Sequence, residues 1–547
     1  MKIDPPSTDV SRRAITCAMV MPYLMAIWCC LAILQGSRTN IPPLAVLFKT
    51  IGIVLVVVGL FHAFLVVVIR KTPARELILF GLVSLFGLYG GFGVIASQYI
   101  GWSLFTAAWV MFHLAAIVFA YRLGDDKRTA IFVPVATMAV GLTLCFQIFG
   151  IGMPVAGDSI HVAQLMSNLA AKDATLSEQA SSTRDRPDIY YIIVDAYAGE
   201  SVLKEVYGFD NRPFVTSLKK RGFFVADDSR SNYHLTELSL ASSLNMTHLH
   251  ELELEKFKTR IPIRKMIANS SVVRYLAQSG YQTIAFESGK SDTQCEQFDQ
   301  YMPIGNALND YQDVLYHGSL LPSLFEFTGI PHRSAARRHG DRTIETLDSI
   351  PTAVQAGSKP AFVFSHLLAP HPPFVNDELG KAVDFHGHYL LADAGHFTAC
   401  YDYDMEIYRD AYRNQVAFIN QKLVDMVDRI QSSDRDSIII IQADHGPRLG
   451  LGSDPLADVQ PDNVDLTFRE AFSILNAIYV PDDLQPEFYS SMTPVNTFRL
   501  IFNEILDTEF ALEADESYYE DSYSFENVTQ KSLSPNSITA TAVTQNN

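Results

Sequence analysis

The chain has 547 residues with 48% hydrophobic and 19% charged residues and a net charge of −18. Residues 1–152 carry 11 Lys/Arg against 5 Asp/Glu, and the remainder carries 31 against 55, so a +6 segment precedes a −24 segment. That division excludes a single uniform globular chain, the apolar content excludes disorder over most of the length, and the acidic remainder argues against nucleic acid as a partner.

Five charge-poor apolar stretches occupy the N-terminal part, at about 15–36, 44–69, 77–97, 103–121 and 130–152. Each is close to the ~20 residues that cross a bilayer as a helix. Lys2, Arg12 and Arg13 precede the first, Arg70, Lys71 and Arg75 separate the second from the third, and Arg122, Lys127 and Arg128 separate the fourth from the fifth. The alternate loops carry little beyond Arg38 and Lys49. Positive charge marks the cytoplasmic side, which predicts a cytoplasmic N-terminus, five crossings and an extracytoplasmic remainder. His62 and His113 fall inside spans, where a histidine is either hydrogen-bonded between helices or part of a lipid or proton path. Cys17, Cys29, Cys30 and Cys145 read as apolar filler, and Cys295 and Cys400 are the two exported cysteines.

Residues 153–186 read as a polar connector with an amphipathic helix near 160–172 along the membrane surface. From Asp188 the pattern changes to short β-branched runs alternating with helical periodicity. Strands are predicted at 188–195, 222–225, 281–286, 359–367, 437–443 and 472–480, and helices at 212–221, from 236, at 272–280 and at 411–431. Fully apolar strands alternating with helices predict an α/β domain with a doubly wound, mainly parallel sheet. The predicted domains are a membrane domain (1–152), the connector (153–186), a catalytic domain (187–515) and a polar tail (516–547) that is disordered from about 528.

Ligands of open α/β sheets bind beyond the carboxyl ends of the strands. The first exported strand ends in Asp195, and a later one runs into Asp444-His445-Gly446. Two carboxylates and an imidazole at converging strand ends suit one divalent cation, Zn²⁺ or Mn²⁺; any one of them alone reads equally as a helix cap. Thr236 opens a helix, where free N–H groups favour an anion. It is a candidate nucleophile and metal contact, and a plain N-cap is compatible with that. In Phe364-Ser-His-Leu-Leu-Ala-Pro-His-Pro-Pro-Phe374, His371 is a candidate phosphate contact or leaving-group acid and His366 a candidate for the same pocket. Lys290 and Arg448 are further candidates for contact with an anionic substrate.

The order Asp195, Thr236, His371-Pro-Pro-Phe374, Asp444-His445-Gly446 resembles the alkaline phosphatase/sulfatase superfamily over about 187–510. Five spans followed by such a domain are similar to lipoteichoic acid synthases and lipid A phosphoethanolamine transferases. The resemblance implies that Asp195, Thr236, Asp444 and His445 hold one metal ion, that Thr236 forms a phospho-threonine intermediate and that His371 contacts phosphate. It further implies a membrane-anchored phosphoester transferase or hydrolase at the bacterial inner membrane, with its catalytic domain outside and a lipid or glycan phosphoester as substrate. Three departures stand out. Neither Thr236 nor an exported cysteine lies in the C/S-x-P-x-R motif that matures to formylglycine, which speaks against sulfate-ester hydrolysis without removing it as an alternative. A non-catalytic envelope scaffold is the third reading. Asp384 and His388 have the spacing of second-metal ligands, but His445 is the last histidine of the chain. The first ligand is Asp where the transferases have Glu, one methylene shorter. Substrate specificity is assigned to the loops 290–345 and 375–410.

Overall fold

The computed structural model describes residues 8–35, 41–69, 72–123, 129–177, 186–305, 308–329, 335–355, 359–383, 405–449, 451, 464–521 and 523–533. Asp384, His388 and Cys400 lie outside these residues. The chain divides into two compact units, one of residues 1–159, 258–261 and 308–332 and the other of residues 160–257, 262–307 and 333–547.

The first unit begins with the helices α1 (Thr8–Ala32), α2 (Leu44–Val68), α3 (Thr72–Gly87), α4 (Tyr89–Ile100), α5 (Trp102–Leu123) and α6 (Thr129–Ser177). Four helices among the described residues are long and apolar enough to cross a membrane. The third expected span, 77–97, is two helices broken at Leu88. Gly318 lies against the chain at this break. Gly90 N–H donates to the Gly318 carbonyl at 2.8 Å, and a Cβ on Gly90 would meet Gly318 Cα at 2.5 Å. His62 is bonded between helices, accepting or donating at Nδ1 with Tyr23 Oη (2.8 Å) and at Nε2 with Glu76 Oε1 (3.0 Å). His113 bonds its own helix through Nδ1 to the Trp109 carbonyl at 3.0 Å.

The rest of the chain runs β1 (Asp188–Val194), α7 (Glu200–Glu205), α8 (Arg212–Lys220), β2 (Phe224–Val225), α9 (Thr236–Asn245), α10 (Ile261–Ala268), α11 (Ser271–Gln278), β3 (Gln282–Phe286), β4 (Gln300–Met302), α12 (Asp310–His317), α13 (Leu321–Thr328), α14 (Ala335–Ser349) and β5 (Ala361–Leu367). It continues with α15 (Met405–Gln431), β6 (Ser437–Gln442), α16 (Val464–Phe472), β7 (Asn476–Tyr479), α17 (Pro494–Ile505), β8 (Tyr518–Asp521), β9 (Ser524–Asn527) and α18 (Thr529–Ser532). All but α12 and α13 and the first residue of α10 belong to the second unit. Those two helices belong to the first, where Tyr311 Oη donates to the Cys30 carbonyl (2.9 Å) and Gln312 Nε2 to Thr50 Oγ1 (3.1 Å). The loop 290–345 therefore contains a helix pair that folds with the N-terminal helices.

The sheet order is β2-β7-β6-β1-β5-β3-β4. The five strands from β6 to β4 are parallel, while β7 and β2 close one edge antiparallel. The sheet is thus mixed, with the doubly wound parallel portion as expected. Every residue of β1, β5 and β6 is buried, which is why these strands read as unbroken apolar runs rather than alternating ones. Alternation persists in which core each side chain enters. Ile189, Tyr191, Ile193 and Ile440 pack on one face with α9, α11 and α17. Tyr190, Ile192, Val194 and Ile441 pack on the other with α7, α8 and α15.

Two boundaries differ from expectation. The stretch near 160–172 does form an amphipathic helix, but as the continuation of α6, and Val162, Leu165 and Leu169 enter the core of the second unit. Order also extends past 528. Val528 is buried with Phe468 and Phe472, and α18 follows it.

Ile440 sits at the sheet centre, paired with Tyr191 and Ile478. Ile440→Ala is expected to cost about 2–5 kcal/mol, read as a lowered thermal unfolding midpoint of the full chain in detergent.

Candidate active site

Four adjacent strands deliver side chains to one edge of the sheet. Asp195 follows β1, Asp444 and His445 follow β6, His366 lies at the end of β5, and Lys290 lies four residues beyond β3. Because β6, β1, β5 and β3 are neighbours in one parallel sheet, their carboxyl ends share an edge. Thr236, in the first turn of α9, completes the set.

Asp195 Oδ1, Asp444 Oδ2 and His445 Nε2 lie within 4.8 Å of one another, and all three residues are buried. His445 Nε2 is 3.6 Å from each carboxylate. The second oxygen of each carboxylate is committed elsewhere. Asp195 Oδ2 faces His366 Nε2 at 3.2 Å, and Asp444 Oδ1 accepts the N–H of Ala196 (3.2 Å) and of His445 (2.9 Å). Asp195 Oδ1 and Asp444 Oδ2 have no hydrogen-bond partner. His445 Nδ1 faces the Gly446 carbonyl at 2.7 Å; a carbonyl only accepts, so the proton is on Nδ1 and Nε2 presents a lone pair. Two partnerless carboxylate oxygens and an imidazole nitrogen thus converge. Burying such groups without a counter-charge is strongly unfavourable, and the donor set fits one divalent cation taking N and O ligands.

Electrostatics around Asp195 run in the same direction. Burial alone would raise its pKa, but the charge of His371, the hydrogen bond from His366 and the Lys290 ammonium outweigh it and hold the carboxyl well below the usual carboxylate range. Lys290 is the counterpart. Burial opposes its charge, yet Asp195, Asp292, Glu237 and Asp444 prevail and raise its pKa, so it is cationic at any physiological pH.

Thr236 is the first residue of α9, and the preceding Leu235 occupies the cap position without a side-chain bond. The hydroxyl is therefore not an N-cap. Oγ1 instead accepts from Lys290 Nζ at 3.0 Å and meets His445 Nε2 at 3.2 Å. A hydroxyl held against an ammonium and beside a cation-fitting cluster is in surroundings that stabilise its ionised form.

The other sequence candidates divide. His371 is buried, with Nδ1 on the Pro372 carbonyl at 2.6 Å and its ring 6.4 Å from that of His445. His366 is buried. It sits behind Asp195, and its Nδ1 meets Thr293 Oγ1 at 2.9 Å, which in turn meets Ser288 Oγ at 2.9 Å. It holds the outer oxygen of Asp195 in place. Arg448 donates from Nη1 to the His234 carbonyl at 2.6 Å, two residues before Thr236, and so braces the approach to α9. Cys295 is a free, buried thiol whose pKa burial pushes up to about 12.

Several bracing residues carry no sequence signal. Ala196 adopts φ +61°, turning its N–H toward Asp444 while its carbonyl accepts from Tyr412 Oη at 2.8 Å. A left-handed non-glycine residue beside the ligands is a local cost borne by the site. Gly446 is required by space, since a Cβ there would lie 1.9 Å from the Glu470 carbonyl oxygen. His339 Nε2 bonds the Leu368 carbonyl at 2.7 Å, at the base of the loop that carries His371. Burial, with Arg342 adding to it, pushes the pKa of His339 down to about 3, so that ring is neutral.

A family model described as Sulfatase matches residues 187–474, and the chain belongs to the sulfatase family. A search of the curated proteins finds no match. Among solved structures, the C-terminal periplasmic domain of EcEptC from Escherichia coli in complex with Zn is similar at 10% identity, covering 64% of this chain and 94% of that one with a TM-score of 0.42. The soluble domain of lipooligosaccharide phosphoethanolamine transferase A from Neisseria meningitidis is similar at 12% identity, covering 60% and 91% with a TM-score of 0.35. A putative sulfatase from Bacteroides thetaiotaomicron is similar at 14% identity, covering 60% and 72% with a TM-score of 0.39.

The fit to a cation has a direct thermodynamic consequence. Zn²⁺ or Mn²⁺ at ~100 times its Kd is expected to stabilise the full chain by about 2.7 kcal/mol. Thermal shift in detergent reads it, and Asp444→Asn or His445→Ala is expected to abolish the shift.

Proposed function

We propose that the protein is a membrane-anchored, metal-dependent phosphoester transferase or hydrolase that works through Thr236 as nucleophile. The membrane domain lies in residues 1–152, joined through 153–186 to a catalytic domain over 187–515. The observation that carries the reading is the position of Thr236 Oγ1, within 3.0 Å of Lys290 Nζ and 3.2 Å of His445 Nε2, beside two buried carboxylate oxygens without partners.

Asp195, Asp444, His445 and Thr236 would hold one divalent ion, Zn²⁺ or Mn²⁺. Such an ion supplies Lewis-acid stabilisation of the threonine alkoxide and of charge developing on the phosphoryl group. The chain's own residues do the rest. Lys290 holds Oγ1 and stabilises negative charge on it. Oγ1 forms the bond to phosphorus as the ester P–O bond breaks. His371 contacts the phosphoryl oxygens and delivers a proton to the departing oxygen. The Oγ1 proton is released to solvent as the alkoxide forms, and His371, having protonated the departing alcohol, takes one back from solvent, so this half-reaction is proton-neutral. The phospho-threonine then passes its group to an acceptor alcohol or to water. His366 fixes Asp195, and Arg448 fixes the turn into α9.

A donor that resides in the bilayer agrees with the N-terminal helices, and the superfamily resemblance suggests a phospholipid head group as donor and an envelope lipid or glycan as acceptor. The proposed topology has a cytoplasmic N-terminus in the bacterial inner membrane and an extracytoplasmic catalytic domain. Five crossings are obtained if α3 and α4 together form the third. The orientation has support beyond the charge pattern. Residues 308–329 follow the last span, and they bond Cys30, Thr50 and Gly90. Cys30 and Thr50 belong to the ends of α1 and α2 that the charge pattern puts outside, and Gly90 to the break between α3 and α4.

Thr236→Ala is expected to lower turnover of a chromogenic aryl phosphodiester by about 10³-fold or more, and Lys290→Ala by about 10²–10³-fold. EDTA is expected to abolish wild-type turnover. Unchanged, EDTA-insensitive turnover in Thr236→Ala overturns the mechanism. Faster turnover of an aryl sulfate than of the phosphodiester, still dependent on Thr236, would establish the sulfatase alternative.

A further inference from the structure

The helix pair α12–α13 raises a question that the proposed chemistry does not answer. It lies within the sequence of the catalytic domain but folds with the N-terminal helices. Its attachment is specific. Tyr311 is buried among Leu31, Leu34, Val46 and Leu47. Leu320, between the two helices, is buried with Leu85, Tyr89 and Phe105. Tyr89 Oη lies 3.3 Å from Ser323 Oγ of α13.

The helix α13 itself has no buried residue. Leu321 is 36% exposed, Leu324 38% and Phe327 90%. Spaced i, i+3 and i+6, these three fall within about 120° of arc. Glu326 is exposed on the opposite side, and Ser323 faces Tyr89. The helix is thus two-sided, with Ser323 tied to Tyr89 at the α3–α4 break, the preceding Leu320 packed on Phe105 near the outer end of α5, and an apolar stripe left uncovered. A stripe of this kind in water is unfavourable and marks a contact surface. Its position identifies the contact. Leu85, Tyr89 and Phe105 belong to α3, α4 and α5, whose outward side chains, such as Phe92 at 54% exposure and Met111 at 69%, are apolar like Val67 of α2 at 82% and require lipid around them.

We propose that α13 is a membrane-interface helix whose Leu321, Leu324 and Phe327 enter the outer leaflet at the boundary between headgroups and acyl chains. The partner is a lipid surface, and the contact is made by the catalytic chain after its last span. An apolar face laid into the interface, with its polar side turned to water, is the geometry of monotopic helices. The acidic Glu326 sits on the side away from the bilayer. The inference rests on the reading of the N-terminal helices as membrane spans.

The test uses the full chain in phospholipid nanodiscs with p-benzoylphenylalanine introduced singly at Phe327, at Glu326 and at Val67, followed by irradiation and mass analysis of lipid adducts. Adducts at 327 and 67, with at least about fivefold fewer at 326 than at 327, are expected for a helix lying in the interface. Adducts at 67 with none at 327, or equal adducts at 326 and 327, overturn the proposal while leaving the spans intact. No adduct at 67 overturns the membrane reading, and this proposal with it.

Discussion

Two carboxylate oxygens and an imidazole nitrogen, buried within 4.8 Å of one another, are the arrangement on which the α/β domain depends. Coulomb repulsion between Asp195 and Asp444 disfavours it at any interior dielectric. The surroundings answer with donors on every free side. His366 takes the outer oxygen of Asp195, two backbone N–H groups take that of Asp444, and Lys290 and His371 supply positive charge. What remains uncompensated is confined to Asp195 Oδ1 and Asp444 Oδ2, beside His445 Nε2. This is a cluster poised for a cation rather than an ordinary polar core, in which buried groups are paired.

The fold is arranged around holding that repulsive cluster in place. Parallel pairing of β6, β1 and β5 fixes the spacing of the ligands to the spacing of strands. The left-handed Ala196, the glycine at 446 against the Glu470 carbonyl and the Arg448 bond to His234 each set a backbone segment next to Asp195, His445 or Thr236. Together they frame the place where Oγ1 of Thr236 meets Lys290 and His445 at bonding distance. Precise support of this kind is what lets one hydroxyl differ from the many others in the chain.

Much of this was readable in the residue order. The strands at 188–195, 281–286, 359–367 and 437–443 are legible because a buried parallel strand is a continuous apolar run, and Asp195 and Asp444-His445 are legible because they terminate such runs. Thr236 and Lys290 could be nominated, but their meeting could not, since 54 residues separate them. His366 was nominated for the substrate side, and only the register of β5 against β1 puts it behind Asp195. The third span was readable as apolar but not as broken, and at the break it meets Gly318, more than two hundred residues away. The helix pair 310–328 was read as loop, since its apolar residues are few and its covering surface comes from elsewhere in the chain.

The 547-residue sequence by itself determined the division into a +6 apolar segment and a −24 α/β segment, the class of sheet and the kinds of groups at its edge. Those properties follow from local composition and from periods of two and 3.6 residues, which need no partner to be visible. Only the tertiary structure decided which oxygens were left unpaired, which cation faces the threonine and which stretch of the later chain folds with the N-terminal helices. Each of those is a distance between residues far apart in sequence, set by strand register and side-chain packing that no local pattern encodes.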